Sequence, residues 1–538
     1  MKKAESLFTG IALVAVIAVM GGALWYHNQK DNASVNNIYP TTKYGAFLAA
    51  QHAIYVNDFE NAAKFSAELK DVNYTTVQNT KFISEFLSGK MPEEVEILKD
   101  EKATASRLIY DAHLLTKDDW KELYNRHKKD ESALAAPLRI WSSIATEHEK
   151  DALKFIDDLP TNNSWKDFVR GQIYAEKGDV EKAAEYFAKV HVDFMNINDY
   201  LYVMSFYRHN NMTDAENALR DSFTARPGGM FMSDYNNIPD WSLYSGYKNA
   251  LAFSLIQNVS HTQIMMYSDL AILLLRFAQI TGPSFDAEND AINYYLGQFF
   301  YNNAGDYKKH FKQLEPESPF YLFSVLRIAE KNGDIRTLER AVKKNPLFVP
   351  AVNKLIAYHI QNGNKRHALK IINMALEHEN LNEVGRAFFL KSRAQIYYVF
   401  DDLDKAQADL HEASVVLPLD SEILSLQAKI WAAQNREIEN AYDYAMMLVK
   451  QNPTDIFAWD TLGYVVAVRE SPEEALSLLS RVGEFSMTCS SLFEQLGDLY
   501  MKTGNKKLAR DAYIRAIELS DDGLTIVPEL KKKLRKAK

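Results

Sequence analysis

The chain has 538 residues and a formal net charge of −9, with 47% hydrophobic and 25% charged residues. This is the composition of ordinary globular protein and excludes a disordered or low-complexity chain. The acidic balance argues against nucleic acid as a partner. The one cysteine, Cys489, excludes an intramolecular disulfide and a cysteine-rich metal site.

The chain opens with an apolar segment, residues 7–26, which carries no charge over 20 positions and ends in two aromatic residues. A helix of this length can cross a bilayer. Because Lys2 and Lys3 precede it, the positive-inside rule places residues 1–6 in the cytoplasm and the rest of the chain outside. The sequence therefore predicts a single-pass protein of the bacterial inner membrane with its main domain in the periplasm.

A cleaved signal peptide is the alternative interpretation of the same segment. Small residues at 21–23 could form a cleavage site, and removal of residues 1–23 would release an exported soluble protein. Both interpretations export the remainder of the chain. Residues 27–43 follow as a polar linker that would hold the next domain a short distance from the membrane.

Residues 44–225 show a two-helix rhythm in which signature residues are sparse, with one well-formed unit: Gly171, Tyr174, Gly178, Ala183 and Phe187. Residues 226–290 depart from this rhythm and are predicted to form an irregular central helical section. Its apolar stretch, Ile264–Ile280, is interrupted by Asp269 and Arg276, so it is predicted to be a core helix and not a membrane span.

Residues 291–519 carry a regular repeat. Its clearest mark is a series of alanines spaced 38, 35, 34 and 34 residues apart: Ala368, Ala406, Ala441, Ala475 and Ala509. The last unit shows the whole pattern: Phe493, Leu496, Gly497, Tyr500, Gly504, Ala509, Tyr513 and Ala516. Its first four members fall on one face of a helix, and the small residues at 497 and 509 allow two helix backbones to approach closely.

This order of residues at a period near 34 resembles the tetratricopeptide repeat, a helix–turn–helix unit. The predicted fold class is all-α, a tetratricopeptide-like α-solenoid of antiparallel helix pairs after one N-terminal transmembrane helix. Residues 459–464 and 494–498 are also similar to long exported repeat proteins of bacterial cell envelopes. That resemblance implies a scaffold. Residues 520–538 are predicted to be a basic capping tail.

No phosphate-binding glycine loop, nucleophile elbow or zinc-protease motif occurs in the sequence. His359 falls at a repeat core position, and the acidic pairs fall in turns, where capping is their usual role. The sequence therefore predicts no enzyme, no cofactor and no metal site.

The resemblance implies that the first helix of each pair lines a concave groove that holds a protein or peptide partner. By the repeat register, the groove candidates are Asn353, Lys391, Gln395, Tyr398, Asp460, Tyr464, Glu494 and Asp498. Chaperone-binding members of the family hold a C-terminal carboxylate with lysines and asparagines at this face. Asp460, Glu494 and Asp498 depart from that pattern, so a neutral or basic peptide is expected here.

The function predicted from these features is a membrane-anchored scaffold or adaptor that mediates protein–protein interactions in the periplasm and assembles or tethers other envelope proteins. The alternative is a non-catalytic helper of a cell-wall or polysaccharide synthesis or export system, since long helical superhelices serve in that way and an aromatic content of 12% would suit sugar contacts.

Overall fold

A computed structural model describes residues 40, 42–69, 71–72, 74–132, 134–261, 269–286, 288–303, 305–485 and 488–537. Within these ranges the regular secondary structure is all helical, as predicted. The predicted membrane segment 7–26 and most of the linker 27–43 lie outside them. Among the residues described, no helix is both long enough and apolar enough to cross a membrane.

The chain divides into two compact units, Met1–Ser88 and Gly89–Lys538. The described part of the first unit has three helices: α1 (Lys43–Tyr55), α2 (Phe59–Ala67) and α3 (Thr75–Leu87). Thr42 caps α1 by accepting a hydrogen bond from the Gly45 amide at 3.0 Å. The buried face of α1 is made of alanines, which lets α2 pack closely on it.

The second unit begins with four antiparallel helix pairs: α4 (Thr104–Thr116) with α5 (Trp120–His127), α6 (Ala136–Ala145) with α7 (Glu149–Asp158), α8 (Asn163–Glu176) with α9 (Val180–Lys189), and α10 (Ile197–His209) with α11 (Thr213–Ala225). Two helices from the central section follow, α12 (Tyr247–His261) and α13 (Asp269–Thr281).

The remaining helices continue the pairs: α14 (Asp290–Asn302) with α15 (Tyr307–Phe311), α16 (Pro319–Asn332) with α17 (Ile335–Lys344), α18 (Val349–Gln361) with α19 (Lys365–Leu376), α20 (Glu383–Val399) with α21 (Leu403–Val416), α22 (Ser421–Ala433) with α23 (Ile438–Gln451), α24 (Ile456–Arg469) with α25 (Pro472–Phe485), and α26 (Ser490–Lys502) with α27 (Lys506–Glu518). A single helix, α28 (Val527–Lys536), follows the last pair.

Ten of the described pairs share one turn geometry. A residue with φ between 51° and 83° ends the first helix. The next backbone N–H donates to the carbonyl five residues earlier at 2.7–2.9 Å, which is the Schellman arrangement for closing a helix. The left-handed residues are Asn57, Asp118, Glu147, Gly178, Asn211, Gly333, Gly363, Asp401, Asn435 and Gly504. The α24–α25 turn differs, because Pro472 opens the second helix there.

The five alanines of the repeat are fully buried, each with 0% exposure. They lie on the second helix of a pair, where they face the first. The small residue of the first helix is equally constrained: a Cβ on Gly497 would lie 2.4 Å from Tyr513, and one on Gly463 would lie 2.4 Å from Leu479. These contacts confirm the helix-pair interpretation of the repeat.

The central section contributes a helix pair to the core of the second unit. Trp141 Nε1 donates to Ser254 Oγ at 2.9 Å, and Gln257 Nε2 donates to Asp199 Oδ1 at 2.9 Å. Phe253 stacks on Phe168 at 6.0 Å. Helices α12 and α13 therefore contact the first helix of every one of the four preceding pairs. Residues 249–257 of α12 are all buried, and the polar ones among them, such as Ser254 and Gln257, have hydrogen-bond partners.

The segment between α11 and α12 packs on the later pairs. The Phe231 ring lies 5.5 Å from both Phe323 and Phe348, and Asn345 Nδ2 donates to the Phe231 carbonyl at 3.1 Å. An aromatic side chain buried among other rings stabilises such a junction beyond its area alone.

The C-terminal residues pack on the last pair and also reach back to α18. Leu530 is fully buried against α27. Gln361 Nε2 donates to Ser520 Oγ at 2.9 Å, across 159 residues of sequence, and a Cβ on Gly523 would lie 2.8 Å from Ala357. The residues that follow the repeat thus join the last pair, α26–α27, to the α18–α19 pair.

We expect Gly497→Val to destabilise the last pair by about 2 kcal/mol, because the added side chain meets Tyr513 and overpacked cores lose about 1–3 kcal/mol. Hydrogen exchange of the amides in α26 and α27 should then accelerate at least about tenfold. Gly228→Val is the control, because nothing lies within 4 Å of a Cβ at that glycine. Equal exchange in the two variants would contradict the close-contact interpretation.

Glu176, at the end of α8, supplies a pH-dependent contribution to stability. It accepts a hydrogen bond from the Gly246 amide at 2.7 Å. Burial raises the pKa of Glu176 to about 7, although that hydrogen bond acts to lower it. Its ordinary value is 4.5, so between these two pH values the folded protein binds more protons than the unfolded chain. Its free energy of unfolding therefore falls as the pH rises through this window.

We expect Glu176→Gln to have little effect near the low end of this window and to raise the free energy of opening α8 by about 1–2 kcal/mol at a pH above it. Hydrogen exchange of α8 at the two pH values measures the difference. Glu131→Gln, at an exposed carboxylate, is the control and should show no such change. If α8 of the wild-type protein is equally stable at both pH values, Glu176 does not hold a proton in the folded protein across this window, and the prediction is wrong.

Candidate functional site

The predicted groove residues lie on the first helices of the later pairs, at fixed positions relative to the small core residue. Lys391, Asp460 and Glu494 each lie three residues before that residue, and Tyr464 and Asp498 each lie one residue after it. Since α18, α20, α22, α24 and α26 stack side by side, these positions form one continuous surface, which we call the inner face.

The first polar cluster of the inner face centres on Lys391. Its ammonium group lies 2.9 Å from Asp420 and 2.8 Å from Glu422, at the start of α22. Asp420 also caps α22, because it accepts hydrogen bonds from the Glu422 and Ile423 amides. Burial acts against the charge of Lys391, but the two carboxylates raise its pKa. This lysine therefore fixes α20 to α22 and is 8% exposed.

The second cluster centres on Asp460, which is 2% exposed. Lys429 Nζ lies 2.6 Å from its carboxylate, and Ser491 Oγ donates to the same oxygen at 2.7 Å. Burial acts against the Lys429 ammonium, whereas Asp460 raises its pKa. Asp460 thus links α22, α24 and α26 through buried polar contacts and is already paired within the chain.

The third cluster joins α26 to the C-terminal helix. Lys533 Nζ lies 2.8 Å from Glu494 and 2.6 Å from Asp498, and the Tyr513 hydroxyl donates to Asp498 at 2.7 Å. Burial raises the pKa of Glu494, and Lys533 opposes that shift. The carboxylates expected to repel an anionic partner are therefore largely neutralised by lysines of the same chain.

Two tyrosines extend the inner face between these clusters. Tyr398 on α20 and Tyr464 on α24 interact through their hydroxyls, and burial raises the pKa of both. Gln395, one turn before Tyr398, is half-buried. Asn353 is exposed on α18. Of the eight predicted residues, Asn353 is the one with an open amide, whereas Lys391 and Asp460 serve mainly to hold helices together.

Two polar inner-face residues are absent from the predicted set although they occupy the same register positions. Ser425 lies three residues before Ala428 and Lys429 one residue after it. Ser425 Oγ lies 2.6 Å from Thr461 Oγ1. The repeat register could have identified both. Lys533 could not be found in this way, because it lies outside the repeat and reaches Asp498 across 35 residues.

The model of one family, described as tetratricopeptide repeat, matches residues 168–190 and 490–522. The first segment covers most of the α8–α9 pair and the second covers the α26–α27 pair. No curated protein matches the chain.

Three solved structures are similar in part. A tetratricopeptide repeat protein from Parabacteroides merdae is 12% identical, with 54% of this chain and 99% of that chain covered and a TM-score of 0.32. The Cut9–Hcn1 hetero-tetramer of the APC/C gives 13% identity, 93% and 97% coverage and a TM-score of 0.33. Yeast Tom70 gives 11% identity, 92% and 95% coverage and a TM-score of 0.28. The family-model matches, the alanine series and the shared turn geometry together make this chain a tetratricopeptide-repeat-like protein.

Proposed function

We propose that the chain is a membrane-anchored scaffold of the bacterial cell envelope, which binds other envelope proteins on the periplasmic side and assembles or tethers them. The observation that carries the proposal is the array of helix pairs with two segments matched by the tetratricopeptide repeat model. Proteins with this repeat generally mediate protein–protein interactions. The uncharged segment 7–26 after Lys2 and Lys3 supports the anchor and its orientation.

The inner face is the proposed contact surface for these partners. Asn353 offers an exposed amide on α18, and Gln395, Tyr398 and Tyr464 add half-buried hydrogen-bonding groups on α20 and α24. Because the charged groups of this face are paired within the chain, binding there is expected to depend on hydrogen bonds and shape. A partner that replaced an internal ion pair would have to compensate for the loss of its contacts.

Site-specific photo-crosslinking in cells tests the contact surface. A photoreactive amino acid replaces Asn353 or Gln395 in the full-length chain, and the control position is Lys121, an exposed residue of α5. We expect discrete protein adducts from positions 353 and 395 and none of the same adducts from 121. Adducts that appear equally at all three positions, or no adducts at any, would count against protein binding at the inner face.

Fractionation tests the anchor and its orientation. We expect the full-length chain to pellet with membranes and to resist salt and carbonate extraction, and protease added to spheroplasts to digest the repeat domain. Deletion of residues 7–26 should leave the protein in the cytoplasm, protected from the protease. Recovery of the intact chain in the cytosol would refute the envelope location. Binding of wall glycan with no protein adduct would favour the helper function instead.

A further inference from the structure

A strongly basic surface lies mainly on α17 and α19, the second helices of two neighbouring pairs. Residues 331–376 contain nine lysines and arginines but only two acidic residues, in a chain whose net charge is −9. Eight of these cations are exposed, and among the described residues none of the eight lies within ion-pair distance of a carboxylate: Lys331, Arg336, Arg340, Lys343, Lys344, Lys354, Arg366 and Lys370. The charge of this segment is therefore opposite to that of the whole chain, and most of it is not paired with carboxylates.

The second helices of the two pairs present these cations on adjacent surfaces. Arg336, Arg340 and Lys343 fall on one face of α17, and Arg366 and Lys370 fall on one face of α19. His359 of α18 connects them, because it lies 3.8 Å from Glu339 of α17 and its ring stacks on His367 of α19 at 5.3 Å. We call the cations of α17 and α19 the basic face.

The C-terminal helix adds to this charge from a remote part of the sequence. A Cβ on Gly363, in the α18–α19 turn, would lie 3.6 Å from Ile526 and 3.9 Å from Pro528. Helix α28 thus begins beside the start of α19. Its exposed Lys531, Arg535 and Lys536 likewise have no carboxylate partner among the described residues.

An open cleft of about 670 Å³ runs along α19 within the basic face. Lys365, Arg366 and Lys370 line it together with one carboxylate, Glu377, and the half-buried side chains of Leu369 and Met374 form its apolar floor. The cleft thus combines an apolar anchor site with an excess of positive charge.

We infer that the basic face is a docking site for an acidic protein segment that carries apolar anchor residues between its carboxylates. Bound carboxylates would pair with the free cations, and apolar side chains would cover Leu369 and Met374. Because the rest of the chain is acidic, its field would repel such a segment elsewhere and orient it onto this face.

The apolar floor of the cleft favours a protein segment over other polyanions. A nucleic-acid strand would use aromatic side chains as stacking platforms, and none of the described residues that line this cleft is aromatic. A bilayer surface would present charged headgroups to the exposed cations and no side chain to Leu369 and Met374. The inference rests on the proposed scaffold function and adds the chemistry of one partner and its place on the molecule.

Binding of a synthetic probe to the full-length chain in detergent tests the inference. The probe is a fluorescent 16-residue peptide with leucine and glutamate at helical spacing, and a matched peptide has every glutamate replaced by glutamine. Arg366→Glu with Lys370→Glu should weaken binding of the acidic peptide at least about tenfold. Lys121→Glu with Lys150→Glu is the control, because it changes the net charge equally at two exposed lysines elsewhere and should change affinity less than about twofold.

Two further measurements test the contribution of the apolar floor and the class of polyanion that binds. Met374→Gln should weaken binding of the acidic peptide and leave its salt dependence unchanged. A single-stranded oligonucleotide and vesicles with anionic phospholipid should bind the wild-type chain more weakly than the peptide does. The inference is overturned if the chain binds the glutamine peptide as tightly as the acidic one, or if the control variant loses as much affinity as the basic-face variant. It is also overturned if oligonucleotide or vesicles bind more tightly than the acidic peptide.

The outcome for the basic face is distinguishable from that for the scaffold. Circular dichroism and the photo-crosslinking pattern at position 353 show whether each variant is folded and still binds protein. If wild-type adducts form in cells but the acidic peptide does not bind, the scaffold stands and the basic face is wrong. If no adducts form at position 353, protein binding at the inner face is refuted, whatever the peptide does at the basic face.

Discussion

The second unit depends on one backbone hydrogen bond that is repeated along the chain. It runs from the residue after a left-handed turn position to the carbonyl five residues earlier, for example from Asp179 to Tyr174 and from Asn505 to Tyr500. This bond satisfies carbonyls at the end of the first helix and sends the second helix back antiparallel to it. The small residues can then meet their large partners, and each pair can bury its apolar face on the next.

The same turn is only partly visible in the sequence. Glycine marks it at Gly178, Gly333, Gly363 and Gly504, but other residues fill it in earlier pairs, as at Glu147, and in later ones, as at Asp401 and Asn435. A left-handed side chain costs roughly 1–2 kcal/mol, which the surrounding contacts offset without leaving a glycine in the sequence. Gly297 is hidden for another reason, because it packs on Phe311 at a spacing of 14 residues, whereas Gly497 packs on Tyr513 at a spacing of 16.

The inner face was predictable in position but not in charge. The repeat register places Lys391, Tyr464 and Asp498 on the first helices of their pairs, because helix periodicity fixes which positions share a surface. It does not show which cation will neutralise a carboxylate, since Lys429 comes from the neighbouring helix and Lys533 from beyond the repeat. In the central section the sequence predicts a core helix where α13 lies, but it does not predict what α12 and α13 pack against. Their contacts with α4, α6, α8 and α10 are long-range and leave no local pattern.

The charges of the inner face are paired within the chain, whereas the cations of the basic face are exposed to solvent. This difference separates the roles proposed for the two surfaces. On the inner face, Lys429 is buried and paired, and breaking its ion pair would leave a charge in a poorly solvated place, which costs several kcal/mol. On the basic face, Arg366 and Lys370 are exposed and remain solvated until an anion replaces water. Pairing them loses no internal contact, so even modest Coulombic gain favours binding. In the binding that we propose, recognition by charge therefore belongs to the second helices of these pairs, while the first helices hold the array together and would recognise a partner by shape.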